Sequence, residues 1–314
     1  MSVLRAFRKI AAALLFVALV STAALILARR APGDYTDTLR AARLSEDVIA
    51  RERERLHLDR SLPDLTRIWL TGLARLDLGT SYRFARPVTS LIAERAPRTL
   101  ALVSAAVLLA IAGALLWGTW LVHARRPVRM VLSAAATTAL SLPSIVILFA
   151  LLLGAAKAGW LAQAGHGMVI PLLGILALLL PAAGGLARVH EQALREALAE
   201  PWALASTARG VSAGVLVWKL AMRIAATRVI SVMPLVAANI LGASLLVEVV
   251  TGWAGIGRLM LDALVARDVF LVAGCTAAIT AAIAALALAS DALVAALDPR
   301  IKSIEALETA EPAR

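Results

Sequence analysis

Cysteine is almost absent from this chain, and so are the motifs of most soluble enzymes. Cys275 is the only cysteine among 314 residues, which excludes an intramolecular disulfide. The four histidines show no metal-ligand spacing with it, so we expect no metal site. The sequence contains no G-x-x-x-x-G-K-S/T run for a P-loop and no Ser/His/Asp or paired-carboxylate arrangement suited to a soluble active site. We therefore predict that the chain is not an enzyme by itself and binds no cofactor of its own.

Charged residues are also scarce. They make up 17% of the chain, against roughly a quarter in soluble domains. Hydrophobic residues reach 61%, with a mean hydropathy of +0.82, and they are concentrated in long runs. This pattern is typical of a polytopic α-helical membrane protein. The net charge of +11 then fits Arg-rich loops beside anionic lipid, so we expect membrane lipid as a partner and no nucleic acid.

Six apolar runs predict an all-α fold with six transmembrane helices. The predicted spans are about Ile10–Leu27, Leu100–Val122, Met130–Ala156, Ile170–Ala187, Val229–Val250 and Phe270–Leu297. The predicted segments are a 1–28 anchor span, a 29–98 segment, a 99–300 transmembrane domain and a 301–314 cytoplasmic tail. Asp298-Pro299-Arg300 is expected to end the last span, because proline stops a helix and arginine marks the interface.

Arginine-rich short loops predict the orientation in the membrane. The N-terminal segment, the 123–129 loop and the 188–228 loop are basic, which places them and both chain ends in the cytoplasm. The segment 29–98 also carries arginines, but it is too long for the positive-inside bias to apply. It contains "SEDVIARERERLHL", where Ser45 is a plausible N-cap, so we predict an ordered helical segment that faces the outside.

The loop 188–228 has local signals for a short helix. In "REALAEPWALASTARG" (195–210), Pro201 predicts a break after a first helix, and Gly210 predicts a stop at a position that needs positive φ. Ser212 can then cap the helix that follows.

One face of this short helix is predicted to dock on a partner. Trp202, Ala205 and Ala208 are three residues apart, and therefore on one face. Small residues let another surface approach closely, and one aromatic provides a large buried contact. The alternative is an amphipathic helix that rests on the bilayer, for which an alanine-rich face is poorly suited.

The same loop carries a family resemblance. "REALAEPWALASTARGVS" resembles the EAA loop of permease subunits of ABC importers, with Glu196-Ala197-Leu198 at the Glu-Ala-Ala position and Gly210 at the characteristic glycine. Pro201, Trp202 and Thr207 depart from residues that are commoner there. Further segments resemble the first-type permease of the dipeptide/oligopeptide/nickel branch: "ARRAPGDY" (28–35), "LHLDRSLPDLTRIWLTGLARLDLGTSY" (56–82), "PVTSLIAERAPRTLAL" (87–102), "VEVVTGWAGIGRLMLDALVARD" (247–268) and "LDPRIK" (297–302).

This resemblance implies an inner-membrane permease subunit with a type I ABC importer fold. Its implied partners are a homologous permease subunit, two ATP-binding cassette subunits that bind ATP and Mg, and a periplasmic or lipid-anchored solute-binding protein. The implied substrates are short peptides, with nickel complexes or other small solutes as the alternative. The predicted ATPase-coupling residues are Glu196, Ala197, Leu198, Trp202, Ala205, Ala208 and Gly210.

Polar residues inside the spans are candidates for the translocation path. Ser141 and Ser144 flank a proline in "SLPS", where a packing kink is the competing interpretation. Pro234 and Asn239 lie in the fifth span, and Glu248 lies at its outer end. A membrane amide or acid faces a cavity, a partner helix or a counter-charge, and the sequence leaves these alternatives open.

Two other functions remain as alternatives at the level of sequence. A proton-coupled secondary transporter would need an essential membrane acid and would work without ATP. A membrane scaffold without transport would show no substrate-stimulated ATPase activity in its complex.

Overall fold

The structure is a computed structural model, and it describes residues 3–56, 58–163 and 169–297. All regular elements in these residues are helices, apart from one isolated bridge between Thr80 and Pro87. The helices are α1 (Val3–Arg30), α2 (Tyr35–Ala41), α3 (Glu46–Arg55), α4 (Leu62–Leu73), α5 (Val88–His123), α6 (Arg126–Ser141), α7 (Ser144–Lys157), α8 (Trp160–Gln163), α9 (Val169–Ala199), α10 (Pro201–Ala208), α11 (Ala213–Val215), α12 (Met222–Thr251), α13 (Ile256–Val265) and α14 (Val269–Leu297), with a π-helical turn over Leu216–Ala221 before α12. The predicted end of the last span at Asp298-Pro299-Arg300 and the tail 301–314 lie outside the described residues.

The predicted all-α membrane fold is confirmed. Five helical stretches are long and apolar enough to span a membrane, and a bent helix pair raises the count to six if it forms one span. Several helices run past the predicted spans. The second begins at Val88, and the fourth continues without a break to Ala199.

The third predicted span, Met130–Ala156, is not one straight helix. It consists of α6 and α7, which meet at an angle of 105°. Leu142 adopts an extended conformation between them, with ψ of 127°, and Pro143 takes the N-cap position of α7. A residue that precedes proline is disfavoured in the α region, and proline has no N–H for the helix ladder. "SLPS" therefore breaks the helix, where a kink within one helix was expected.

The chain forms two compact units, and unit A consists of Ala6–Leu100 and Glu248–Ala285. Its local structure follows the sequence closely at α4, where the Ser61 hydroxyl accepts a hydrogen bond from the Asp64 backbone N–H at 3.3 Å. Ser45 also precedes a helix, as predicted, but its side chain makes no capping hydrogen bond. Ser45 therefore takes the predicted N-cap position of α3, without the side-chain hydrogen bond that such a residue usually makes.

An aromatic core holds unit A together. Trp69 is 1% exposed, and its Nε1 donates to Ser21 Oγ of α1 at 3.3 Å. Tyr82 meets Phe270 edge to face, with ring centroids 5.8 Å apart. The 29–98 segment is thus helical and ordered, as predicted, and it packs with residues that are distant in sequence.

Unit B consists mainly of Ala101–Val247, together with described residues from Leu286 onward. Small residues let its helices approach closely. Ala110 and Ala114 of α5 pack with Ala183 and Ala187 of α9 in one buried cluster. At Gly184, an added Cβ would stand 2.7 Å from the Ala136 carbonyl oxygen, so no larger residue fits without a shift. This packing positions the 188–228 loop at one end of α9 and α12.

Candidate coupling loop and translocation cavity

The helix predicted between Pro201 and Gly210 is present as α10. Glu200 is extended, with φ of −70° and ψ of 150°, and Pro201 takes the first helical position, where its missing N–H costs nothing. Gly210 has φ of +83°. The Gly210 N–H donates to the Thr207 carbonyl at 3.0 Å, and the Val211 N–H donates to the Ser206 carbonyl at 3.1 Å. These two bonds form a Schellman motif, which ends the helix as the sequence predicted.

Small buried residues hold this loop against the rest of unit B. Ala193, Leu194 and Ala197 of α9 pack with Val217, Ala221 and Ala225, and Leu198 and Trp202 lie against this cluster, which we call the loop cluster. Ala197 and Leu198 therefore pack inside the chain, where they were predicted as coupling residues. Ala197 is buried and Leu198 is partly buried, and their coupling role stays a prediction.

Glu196 is the exposed member of its triplet. Its carboxylate pairs with Arg228 at 2.8 Å, and both side chains are about half exposed. An exposed ion pair of this kind contributes little to stability. Because the Glu196 side chain is about half exposed, a partner can reach it.

The predicted docking face of α10 is exposed only in part. Trp202 is partly buried against the loop cluster, whereas Ala205 and Ala208 are exposed. Trp202 therefore adds less free surface to this face than its size suggests, and the docking role of the three residues stays a prediction. Leu204, which the sequence analysis missed, is 68% exposed and is the largest apolar side chain on the outer surface of α10. Its position three residues after Pro201 and one turn before Ala208 was the signal that could have identified it.

A cavity of about 470 Å³ lies in unit B beside the break between α6 and α7. Residues of α9 and α12 complete its wall. Ser144 and Asn239 line the cavity, which brings together two residues predicted for the translocation path. The rest of the lining is apolar. A largely apolar cavity with a few placed polar groups is typical of sites that accept small molecules.

Two other predicted path residues are not in this wall. Ser141 is exposed, and its hydroxyl donates to the Thr137 carbonyl of its own helix at 2.8 Å. Pro234 lies inside α12 and is half-buried. Neither side chain lines the cavity, so their predicted role in the path has no support from the geometry.

Glu248 lies near the end of the fifth predicted span, as expected, but its surroundings were not predicted. It belongs to unit A and is completely buried. Thr99 Oγ1 donates to its Oε1 at 2.7 Å, and the Gly257 N–H donates to its Oε2 at 2.6 Å. The Ile256 N–H in turn donates to Thr99 Oγ1 at 2.8 Å. A carboxylate that binds the first N–H groups of α13 stabilises that helix end. Both oxygens of Glu248 have partners inside unit A, so the geometry gives its predicted role in the path no support.

Comparisons with known proteins agree with this architecture. Residues 100–303 match the family model described as the binding-protein-dependent transport system inner membrane component. A protein of Brucella suis biovar 1, named as a peptide transport system permease, is 27% identical over 305 residues, which cover 94% of this chain and 97% of that protein. The glutathione transport system permease protein of Salmonella paratyphi A is 29% identical over 280 residues, which cover 86% of this chain and 90% of that protein.

A solved structure shows the same fold. A chain of the MetNI methionine ABC transporter, in an inward-facing conformation, superposes with a TM-score of 0.57 at 19% identity. The match covers 66% of this chain and 96% of that one. The predicted type I importer fold and the resemblance to ABC importer permeases are both confirmed. The chain belongs to the family of inner membrane components of binding-protein-dependent transport systems.

Proposed function

We propose that this permease forms one side of the translocation path of an ATP-driven importer for short peptides or related small solutes. The observation that carries the proposal is the cavity beside the α6–α7 break, where Ser144 and Asn239 face an otherwise apolar space. A hydroxyl and an amide can each bind peptide N–H and C=O groups without selecting a particular side chain. The names of the relatives support peptides as the substrate class. Nickel complexes and other small solutes are the alternative.

The proposed partners follow from membership of a binding-protein-dependent family. A homologous permease completes the path, and a solute-binding protein delivers the substrate from outside. Two ATP-binding cassette subunits bind ATP and Mg, and they bind α10 of this chain and the corresponding helix of the homologous permease. Their closure tilts the permease helices as rigid bodies, which exchanges an outward opening for an inward one. The chain itself catalyses no reaction in this scheme.

A transport assay with matched variants tests the path. Cells that lack this chain are complemented with wild type or a variant, and uptake of a labelled dipeptide, a labelled tripeptide and a nickel complex is measured. Asn239→Leu and Ser144→Ala should lower peptide uptake about two- to tenfold, as expected for the loss of one hydrogen bond. Ser141→Ala is the control, since its hydroxyl bonds within its own helix. Peptide uptake that responds to none of these changes, or to the control equally, contradicts the proposed path.

The proposed orientation has both chain ends in the cytoplasm of a cell with an inner membrane. The only native cysteine, Cys275, is buried, so labelling has no background from it. A cysteine at Ser61 should react with an impermeant thiol reagent in intact cells, and one at Ser212 should react only after lysis. The reverse pattern would invert the topology.

A further inference from the structure

A second large cavity in unit B shares no lining residue with the cavity of the proposed path. It has a volume of about 620 Å³ and is formed by one side of the last turns of α5, by α6 and by the π-helical turn. Trp117, Trp120 and Trp218 form its walls with Leu116 and Leu132. Trp120 is 62% exposed and Trp218 is 54% exposed, so the groove is open and aromatic. We call it the tryptophan groove.

The tryptophan groove lies at the end of a membrane span. His123 lines it and is also the last residue of α5, the span Val88–His123. Tryptophan is enriched at this depth in membrane proteins, because its ring is apolar and its N–H is polar. The Nε1 of Trp117 is buried and has no acceptor in the described part of the chain.

Basic residues stand beside the tryptophan groove in the chain. Arg125, Arg126 and Arg129 come directly after His123, and Lys219 follows Trp218. None of these four has a carboxylate partner among the described residues. The first turn of α6, which contains Arg126 and Arg129, has no acidic residue. Positive charges at a helix N-terminus interact unfavourably with the helix dipole. An anion bound there would neutralise the unpaired cations and would also interact favourably with the dipole.

We propose that the tryptophan groove binds one anionic glycerophospholipid. Its acyl chains lie on the tryptophan and leucine walls, and its phosphate is bound by the arginines at the start of α6. Leu132 lines the groove, and Arg129 precedes it by three residues on the same face of α6. One molecule with apolar chains and an anionic head therefore satisfies both the groove and the cations at the start of α6. The π-helical turn connects this site to the loop cluster. Its Trp218 lines the tryptophan groove, and its Val217 and Ala221 belong to the loop cluster.

Lipid retention on the assembled importer tests the charge requirement. The importer is purified with its partner subunits, exchanged into nanodiscs of phosphatidylcholine with one-fifth phosphatidylglycerol, and analysed for retained lipid by native mass spectrometry. Arg125→Gln/Arg126→Gln/Arg129→Gln should lower phosphatidylglycerol retention at least about tenfold, since each arginine near a membrane surface contributes to anionic lipid binding. Arg51→Gln/Arg67→Gln/Arg75→Gln removes the same charge from exposed positions of unit A and should retain the lipid as wild type does. Equal retention in wild type and in the first triple variant, or equal loss in both triple variants, overturns the proposal.

Fluorescence quenching tests the apolar part of the site. In nanodiscs with phosphatidylglycerol brominated on its acyl chains, Trp120 and Trp218 should account for a large share of the quenched tryptophan emission. The variant Trp120→Phe/Trp218→Phe should lose that share, and Leu132→Trp, which fills the groove, should lower phosphatidylglycerol retention without any change in charge. If another protein subunit covers the groove, Trp120 and Trp218 contribute nothing to the quenching, and the lipid site is refuted.

Discussion

Trp202 and Leu204 are two residues apart on the same short helix and face opposite sides of it. Trp202 is partly buried against the loop cluster, while Leu204 is 68% exposed. The aromatic residue therefore fixes α10 to its own chain, and the leucine presents an apolar contact to the surroundings. We therefore expect loss of the Trp202 side chain to lower stability and loss of the Leu204 side chain to weaken binding of a partner.

Leu204→Asp should weaken binding of the ATPase subunits with little effect on the fold. In the proposed complex α10 docks on the ATPase, and burial of a leucine side chain contributes about 2 kcal/mol of binding free energy, roughly a thirtyfold change in affinity. The measurement is the amount of ATPase that copurifies with the permease. Leu264→Asp, at a 52% exposed leucine of unit A, is the control. Trp202→Ala should instead lower the thermal unfolding midpoint of the permease, since it opens a gap beside the loop cluster. Full ATPase recovery with Leu204→Asp would place the contact elsewhere on the loop.

Gly210→Ala should strain the end of α10. The residue has φ of +83°, and an added Cβ would touch nothing within 4 Å, so the whole cost comes from the backbone. That cost is about 1–2 kcal/mol for a residue with a Cβ. Gly214→Ala is a close control, because Gly214 also faces open space but lies in a helix where alanine is favourable. We expect more ATP hydrolysed per solute imported with Gly210→Ala and an unchanged ratio with Gly214→Ala. Equal ratios for both variants would disagree with the role of Gly210 as a helix stop.

Thr99→Val should destabilise unit A by about 2 kcal/mol. The change removes a hydrogen bond to a buried carboxylate and leaves the Ile256 N–H without its acceptor. Gly255→Ala should be comparably harmful, since its Cβ would stand 2.5 Å from Glu248 Oε1. Thr71→Val is the control, because Thr71 is exposed and its hydroxyl bonds only to its own helix. The thermal unfolding midpoint of the purified permease is measured for all three variants. A midpoint for Thr99→Val equal to that of Thr71→Val would show that the network carries no stability.

Asp268 should make the stability of unit A depend on pH. Burial raises the pKa of its carboxyl above the ordinary value of 3.8, although hydrogen bonds from Ser81 Oγ and the Arg83 N–H lower it. The folded chain then keeps a proton at a pH where the unfolded chain has released it. Its contribution to the free energy of unfolding therefore falls as the pH rises from 3.8 through the folded pKa, by about 1.4 kcal/mol per pKa unit.

The variant Asp268→Asn lacks this titration. The unfolding free energy of wild type minus that of Asp268→Asn should become smaller as the pH is raised from 3.8, and constant above the folded pKa. Thermal unfolding at several pH values measures the difference. A difference that grows with pH would mean that the pKa is lowered in the folded state, contrary to the burial argument.

The sequence predicts those features of the fold that have local causes. Pro201 and Gly210 fix the ends of α10 whatever surrounds them, so both ends were predicted correctly. The spans were also predicted, because a long apolar run is itself a local feature of the sequence. The angle between α6 and α7 was missed, since the sequence around Pro143 predicts an interruption but not whether the chain bends or breaks there.

Burial depends on packing partners that are distant in the chain. The buried residues of α10 are Ala203 and Ser206, and Trp202 packs against a cluster built from α9, the π-helical turn and α12. The helical spacing of Trp202 reveals neither fact. Glu248 was assigned to a path because an acid in a membrane span is usually functional, but Thr99, 149 residues away, occupies its carboxylate. The sequence contains no signal for that contact.

The most direct test of the central proposal is solute uptake by the complete importer in proteoliposomes. The permease, its homologous partner and the two ATPase subunits are reconstituted, and the binding protein is loaded with a labelled peptide on the side opposite to the ATPases. We predict uptake that requires ATP and the binding protein, that is unaffected when the proton gradient is collapsed, and that is lost with Leu204→Asp. Uptake that continues without ATP and follows an imposed proton gradient would contradict the account and identify a proton-coupled transporter.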